Sequence, residues 1–194
     1  MQTLCEKVTE HAAKLPEGAP ISAKELLHLG SRAAVDQALS RLARRGTLLR
    51  VRCGVYVKPI ETRFGKRAPS VAQTVSAFGR ARGETIVRHG SAAANAMGLT
   101  TQVPIRTIYL TSGPSSSLKI GSQTVELKHA SSKQLSAPNE PAGEAIRAMI
   151  YLGPSHVRRV LEKLSETEIQ KVMSLRPMLP TPLAAEVSAY ANHA

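Results

Sequence analysis

The sequence predicts an α+β protein with two domains. Its 194 residues suit one or two domains, and a hydrophobic fraction of 42% is enough for a packed core. Apolar residues recur at helical spacing near both ends of the chain. By contrast, residues 48–58 and 105–129 alternate with the period of two that strands show. Helices and short strands are therefore expected to follow one another along the chain.

The first 62 residues predict three helices followed by a hairpin. One helix covers 3–15 and ends at Pro16, and a short one begins at Ser22. The third begins at Ser31 and closes at Gly46. Residues 48–58 then read as two strands joined at Cys53-Gly54. This order is typical of a winged helix-turn-helix, which we place at residues 1–62.

The third helix is predicted to present a polar outer face. At about 100° per residue, Val35, Leu39 and Leu42 point inward. Short polar groups and arginines, which can pair with bases or phosphates, occupy the outer face and the helix ends. The residues predicted to bind DNA there are Ser31, Arg32, Ala33, Gln37, Ser40, Arg41 and Arg44. On the hairpin, Arg50, Arg52 and Lys58 are expected to lie along phosphates.

The net charge of +12 independently favours a polyanionic partner. Nine basic residues lie between Arg41 and Arg67, opposed only by Glu61. Asp36 is the only aspartate, which disfavours two-metal nucleases and Ser-His-Asp hydrolases. The six histidines show no paired metal spacing. We therefore expect no enzymatic activity, no cofactor and no metal. A helical domain whose hairpin binds a protein is the alternative interpretation.

Residues 60–68 are predicted to be a basic linker, and residues 68–194 an α+β domain with a helical C-terminal part. A helix is expected from Ser70 to Gly83, short strands at 85–87 and 105–110, and a hairpin at 118–129. Four further helices are expected between 143 and 191. Capping-box patterns begin at Ser22, Ser70 and Ser165.

His89 and Ser91 lie at the start of a predicted helix, and a helix N-terminus can bind an anion such as a phosphate or RNA. No third catalytic partner is visible nearby. The favoured interpretation is that Ser91 is the helix N-cap and that His89 is a turn residue.

The chain is also expected to be cytoplasmic and to have no membrane partner. No run of about 18 apolar residues is present, and the first 20 residues lack the continuous apolar stretch of a secretory signal. Cys5 and Cys53 are isolated thiols, a poor disulfide framework for a chain of this size.

Two segments resemble AbiEi-type antitoxins of bacterial type IV toxin–antitoxin systems. GSRAAVDQALSRLARRG followed by LLRVRCGVYVKP (30–59) is similar to the N-terminal winged helix of that family. RHGSAAANAMGLTTQVPIRTIYLTSG (88–113) is similar to the start of its second domain. The resemblance covers most of residues 20–130.

This resemblance implies a DNA-binding antitoxin. Its winged helix would bind inverted repeats in its own promoter, and its second domain would help to neutralise a nucleotidyltransferase-like toxin encoded beside it. Two alternatives stay open: an orphan transcriptional regulator, or a basic protein- or RNA-binding module that masks a partner without an operator. The chain has only four tyrosines and two phenylalanines, which disfavours a stacking platform for single-stranded RNA.

Overall fold

The computed structural model describes residues 2–102 and 106–193. Helices and strands alternate over most of that range, which confirms the predicted α+β class. The helices are α1 (Leu4–Ala13), α2 (Arg32–Arg44), α3 (Val71–Arg82), α4 (Gly90–Ala96), α5 (Pro141–Leu152), α6 (Val157–Leu161), α7 (Glu166–Leu175) and α8 (Thr181–His193). The strands are β1 (Ile21–Ser22), β2 (Leu49–Arg52), β3 (Val55–Val57), β4 (Ile60–Thr62), β5 (Gly65–Arg67), β6 (Ile86–Arg88), β7 (Thr107–Thr111), β8 (Ser116–Ile120) and β9 (Gln123–His129).

The N-terminal elements enclose one hydrophobic core. Helices α1 and α2 pack together with a short 3-10 helix, Ala23–Leu26, between them in the chain. Strands β1, β3 and β2 form an antiparallel sheet in that order. The fully buried side chains from these elements include Val8, Ile21, Leu26, Val35 and Leu39. Burying such aliphatic side chains stabilises the fold by about 1.5–3 kcal/mol each.

Helices dominate the other large core. Helix α5 packs against α4, α6 and α7, and α8 packs on α6. Ala145, Ile146 and Met149 are buried on α5, and Val172 and Val187 are buried on α7 and α8.

Strands β6 to β9 form a sheet in the order β6-β7-β9-β8, with β6 antiparallel to β7. The predicted strand at 105–110 corresponds to β7, although Ile105 lies outside the described residues.

The chain divides into two compact units. One contains residues 1–84 and 117–125, and the other contains residues 85–116 and 126–194. Helix α3 therefore belongs with the N-terminal elements, whereas the sequence analysis assigns it to the domain at 68–194. Glu17 accounts for this difference: its carboxylate accepts from the Ser70 amide at 2.8 Å and lies 3.6 Å from the Arg67 guanidinium. It stays a prediction that the two domains, residues 1–62 and 68–194, fold independently.

Residues 60–68 are not the linker that the sequence analysis predicts. Strands β4 and β5 pair as an antiparallel hairpin, with Glu61 opposite Lys66. Its turn is held by Thr62, whose hydroxyl donates to the Gly65 carbonyl at 2.7 Å and accepts from the Phe64 amide at 3.2 Å. This basic segment is therefore ordered by its own hydrogen bonds.

Of the three predicted capping boxes, one is confirmed. The Ser165 hydroxyl accepts from the Glu168 amide, and the Glu168 carboxylate accepts from the Ser165 amide at 2.7 Å. The Ser22 hydroxyl instead donates to the Glu25 carboxylate at 3.2 Å, and Ser70 makes no side-chain cap. Both exceptions have a tertiary cause, because Ser22 lies in a strand and the Ser70 amide is bonded to Glu17.

Candidate nucleic-acid interface

Helix α2 separates apolar and polar residues as the sequence predicts. Val35, Ala38, Leu39 and Leu42 are all less than 5% exposed. The opposite side of α2 carries Ala33, Gln37, Arg41 and Arg44, which are all exposed; we refer to these four as the outer face. Because the apolar side of α2 packs against α1, the hydrogen-bonding and cationic groups on its other side are exposed to solvent.

Ser31 and Arg32 begin this helix. The Ser31 hydroxyl accepts from the Ala34 amide at 3.4 Å, so its first role is to cap the helix. The Arg32 Nε lies 2.9 Å from the Asp36 carboxylate, and both side chains are largely exposed. An exposed pair of this kind contributes about 0–1 kcal/mol, so a phosphate can replace Asp36 as the partner at little cost.

Ser40, which the sequence predicts beside these residues, is less exposed than the four residues of the outer face. Its hydroxyl lies 3.5 Å from the hydroxyl of Tyr56, which is 4% exposed on β3, and Ser40 itself is half-buried. A helical wheel gives the direction of a side chain but not the neighbour that packs beside it. Tyr56 comes from β3, and its contact with Ser40 covers part of the Ser40 side chain.

The C-terminal end of α2 carries a concentrated positive charge. Arg41, Arg44 and Arg45 are exposed, and within the described part of the chain no carboxylate lies within 4.0 Å of them. Cations at this end also interact favourably with the helix dipole, by roughly 0.3–1 kcal/mol each. Because no carboxylate among the described residues pairs with these three arginines, their positive charge is available to an external anion.

The hairpin of β2 and β3 places its cations unequally. Arg50 is exposed, and its Nη2 donates to the Cys53 sulfur at 3.3 Å. Arg52 is half-buried, beyond an irregularity in the register between the two strands. Lys58 follows β3, and its Nζ donates to the Ala13 carbonyl at 3.2 Å. Lys58 therefore contacts the C-terminal end of α1. The sequence instead predicts that its side chain lies along DNA phosphates.

The hairpin of β4 and β5 is a feature that the sequence analysis missed. Phe64 at its turn is 87% exposed, with the Arg63 guanidinium 4.7 Å from its ring centroid. Lys66 and Arg67 follow on β5, both exposed. The signal in the sequence was a phenylalanine inside a run of basic residues, Arg63-Phe64-Gly65-Lys66-Arg67. Such a combination of cations and an exposed ring is compatible with nucleic-acid contact.

The second unit contains the His89–Ser91 pair, and the prediction that Ser91 is the N-cap of this helix is wrong. His89 is the N-cap of α4, and its Nδ1 accepts from the Ser91 amide at 3.2 Å. Burial, with a smaller contribution from the positive charge of Lys128, lowers the pKa of His89. Within residues 2–102 and 106–193, no group of three or more His, Cys, Asp or Glu side chains could hold a metal ion.

These elements define an α+β chain with a cationic helix and two basic hairpins in its N-terminal unit. The chain belongs to a family of unknown function, DUF6088, whose profile matches residues 7–176. Neither the curated proteins nor the solved structures contained a match to it. No helix among the described residues combines the length and apolar character that crossing a bilayer requires.

Proposed function

We propose that this chain is a sequence-specific DNA-binding protein whose residues 1–62 act as a winged helix-turn-helix. The order of α1, the 3-10 helix, α2 and the β2–β3 hairpin supports this assignment. The pairing of β1 with Val55 and Tyr56 of β3 adds a third strand to this hairpin. In this arrangement α2 is the recognition helix and the β2–β3 hairpin is the wing.

The observation that carries the proposal is the composition of the outer face of α2. An α-helix fits the major groove of B-DNA, where glutamine pairs with adenine, arginine with guanine or phosphate, and alanine contacts the thymine methyl group. Gln37, Ala33 and Arg41 supply one of each on the exposed side of this helix. The decisive experiment is footprinting of the full chain on the DNA upstream of its own gene, followed by band-shift titration at several salt concentrations.

Replacing Gln37 by alanine is expected to lower operator affinity by about 1–3 kcal/mol and to relax the sequence preference at one base pair. Gln37 is the neutral base-reading group exposed in the middle of α2. Arg32→Ala is expected to act similarly at the leading end of the helix. Band shifts on the operator and on single-base variants measure both effects, with Gln170→Ala on α7 as the control. Wild-type binding by both variants would exclude this helix as the reading element.

Arg50→Ala and Arg52→Ala are expected to weaken specific and non-specific DNA binding alike. Each should flatten the plot of log affinity against log salt by roughly one unit, because each loses one phosphate contact. Lys58→Ala should change the slope less, since Nζ already bonds to the Ala13 carbonyl. If the slope is unchanged in both arginine variants, the wing does not contact the DNA backbone.

Repression of its own operon and neutralisation of a toxin extend this proposal through the resemblance to AbiEi-type antitoxins. On this proposal the protein acts in the cytoplasm, without enzymatic activity, on inverted repeats in its promoter. Residues 139–194 have six basic and six acidic side chains, a balance better suited to a protein surface than to a polyanion. Co-expression with a nucleotidyltransferase-like neighbour, where the genome encodes one, tests the antitoxin role. Operator binding without rescue would support the orphan regulator.

A further inference from the structure

A pocket of about 230 Å³ lies in the second unit, beside the start of α4 and the second half of α5. His89, Gln134, Arg147 and Tyr151 give it polar groups, and Leu110 and Ile150 give it an apolar wall. Pockets for drug-sized ligands usually measure about 300–1,000 Å³. This pocket is smaller, so it suits a small molecule. Its mixed lining suits a molecule with a polar head and an apolar body.

Arg147 is the unusual member of this pocket, because it is only 2% exposed. Its Nη1 donates to the Ser136 carbonyl at 3.3 Å, and its Nε has no hydrogen-bond partner among the described residues. Burial lowers the pKa of Arg147, an effect that the negative charge of Glu144 opposes. An arginine nevertheless stays charged in proteins, and a buried charge is costly unless it is paired.

Glu144, whose negative charge acts on Arg147, does not supply that pairing. Within the described ranges no carboxylate lies within 4.0 Å of the Arg147 guanidinium, and Glu144 instead lies 3.9 Å from Arg88. The single carbonyl contact with Ser136 satisfies one of the five N–H groups of the guanidinium. The side chain therefore retains donor capacity beside the pocket that it lines.

The neighbouring groups hold the pocket in shape. His89 Nδ1 accepts from the Ser91 amide, so the neutral imidazole carries its proton on Nε2 and is a donor there. The Tyr151 ring meets the His89 ring edge-on, with centroids 5.8 Å apart. A Cβ on Gly90 would lie 2.2 Å from the Arg147 carbonyl, so α4 and α5 approach too closely for any side chain at that position.

We propose that this pocket binds a small organic carboxylate. The carboxylate would accept hydrogen bonds from Arg147 and His89, because a planar carboxylate matches the fork of a guanidinium. The body of the ligand would lie against Leu110 and Ile150. This site is independent of the proposed DNA interface, because all its residues belong to the second unit.

Benzoate is a suitable probe, since it combines a carboxylate with a small apolar ring. The full-length ¹⁵N-labelled protein is titrated with sodium benzoate at constant ionic strength and followed by NMR. Saturable shifts at the amides of Gly90, Ala148 and Tyr151 are expected, with a Kd of roughly 1 mM or below. Benzyl alcohol should cause none. Absence of saturable shifts with benzoate, equal binding of benzyl alcohol, or tighter binding of inorganic phosphate would each overturn the carboxylate assignment.

Arg147→Met keeps the aliphatic stem and removes the charge. Benzoate affinity should fall at least about tenfold, because the charged hydrogen bonds are lost. The Tm without benzoate should equal or exceed that of the wild type, since an apolar group replaces an unpaired buried charge. Arg159→Met, on the exposed side of α6, makes the same change in net charge and should leave benzoate affinity unaltered.

Gln134→Glu provides a second test that does not depend on the folding of the Arg147 variant. It places a carboxylate in the pocket wall, which would compete with benzoate for the guanidinium. Affinity should fall about tenfold while the protein stays folded. Wild-type affinity in Gln134→Glu, or in a folded Arg147→Met, would overturn the proposal.

Discussion

Simultaneous replacement of Arg41, Arg44 and Arg45 by alanine is expected to weaken operator binding by about a hundredfold or more. Each exposed arginine has no carboxylate partner among the described residues, so each is free to contact a phosphate or a base. Charge-assisted hydrogen bonds contribute about 1.5–3 kcal/mol each, and the loss of several is cumulative when they act at separate phosphates. The slope of log affinity against log salt should fall by about three units.

A matched triple variant separates this effect from the loss of net charge alone. Lys133, Arg159 and Lys163 are exposed cations in the other unit, and their replacement by alanine removes the same charge. Operator binding by this control should change by less than about fivefold at physiological salt, since screening limits the effect of charges that make no contact with the DNA. Equal losses in the two variants would show that binding follows overall charge and would contradict a role for α2 as the recognition helix.

The triple variant must also remain folded for the comparison to be valid. Arg41 and Arg44 lie in the last turn of α2, where they interact with the helix dipole. Their removal should lower stability by roughly 1–2 kcal/mol in total, which circular dichroism melting measures. A cooperative melt at a reduced Tm, together with the loss of DNA binding, assigns the loss to the interface.

Local patterns predict most of the N-terminal unit, because its helices and turns depend on neighbours in sequence. The inward residues of α2 follow from their spacing, and the Cys53-Gly54 turn follows from the alternation on either side. Ser40 and Lys58 make contacts that the sequence does not predict, for one shared reason. Their partners, Tyr56 and the Ala13 carbonyl, come from elements that only the tertiary fold brings close.

The same reason explains why the remaining features were missed. Glu17 bonds to residues 67 and 70, which lie 50 and 53 positions away in the chain, and no periodicity indicates this pairing, which joins α3 to the first unit. The pocket around Arg147 combines a loop residue, Gln134, with the start of α4. In sequence, Arg147 is one of two charged residues, with Glu144, in a largely apolar helix, and nothing in its spacing distinguishes it from a surface residue.

Gly143→Ala is expected to destabilise the second unit by about 3 kcal/mol or more. In an ordinary helix interior this change would stabilise by about 1 kcal/mol, because alanine has the higher helix propensity. Here a Cβ would lie 2.0 Å from the Ala137 carbonyl oxygen and 2.7 Å from that of Ser136. Both are backbone atoms, and Ala137 already has a φ of 45°, so the segment cannot move aside cheaply.

Gly98→Ala is the matched control, because it separates steric conflict from backbone strain. Gly98 has a φ of +68°, and a Cβ there would meet nothing within 4 Å. Only the left-handed backbone penalty of about 1–2 kcal/mol should then appear. Urea unfolding of the two variants measures the difference. A cost for Gly143→Ala no greater than that for Gly98→Ala would mean that the 136–137 segment yields to α5. In that case the segment could not provide the fixed Ser136 carbonyl to which Arg147 donates.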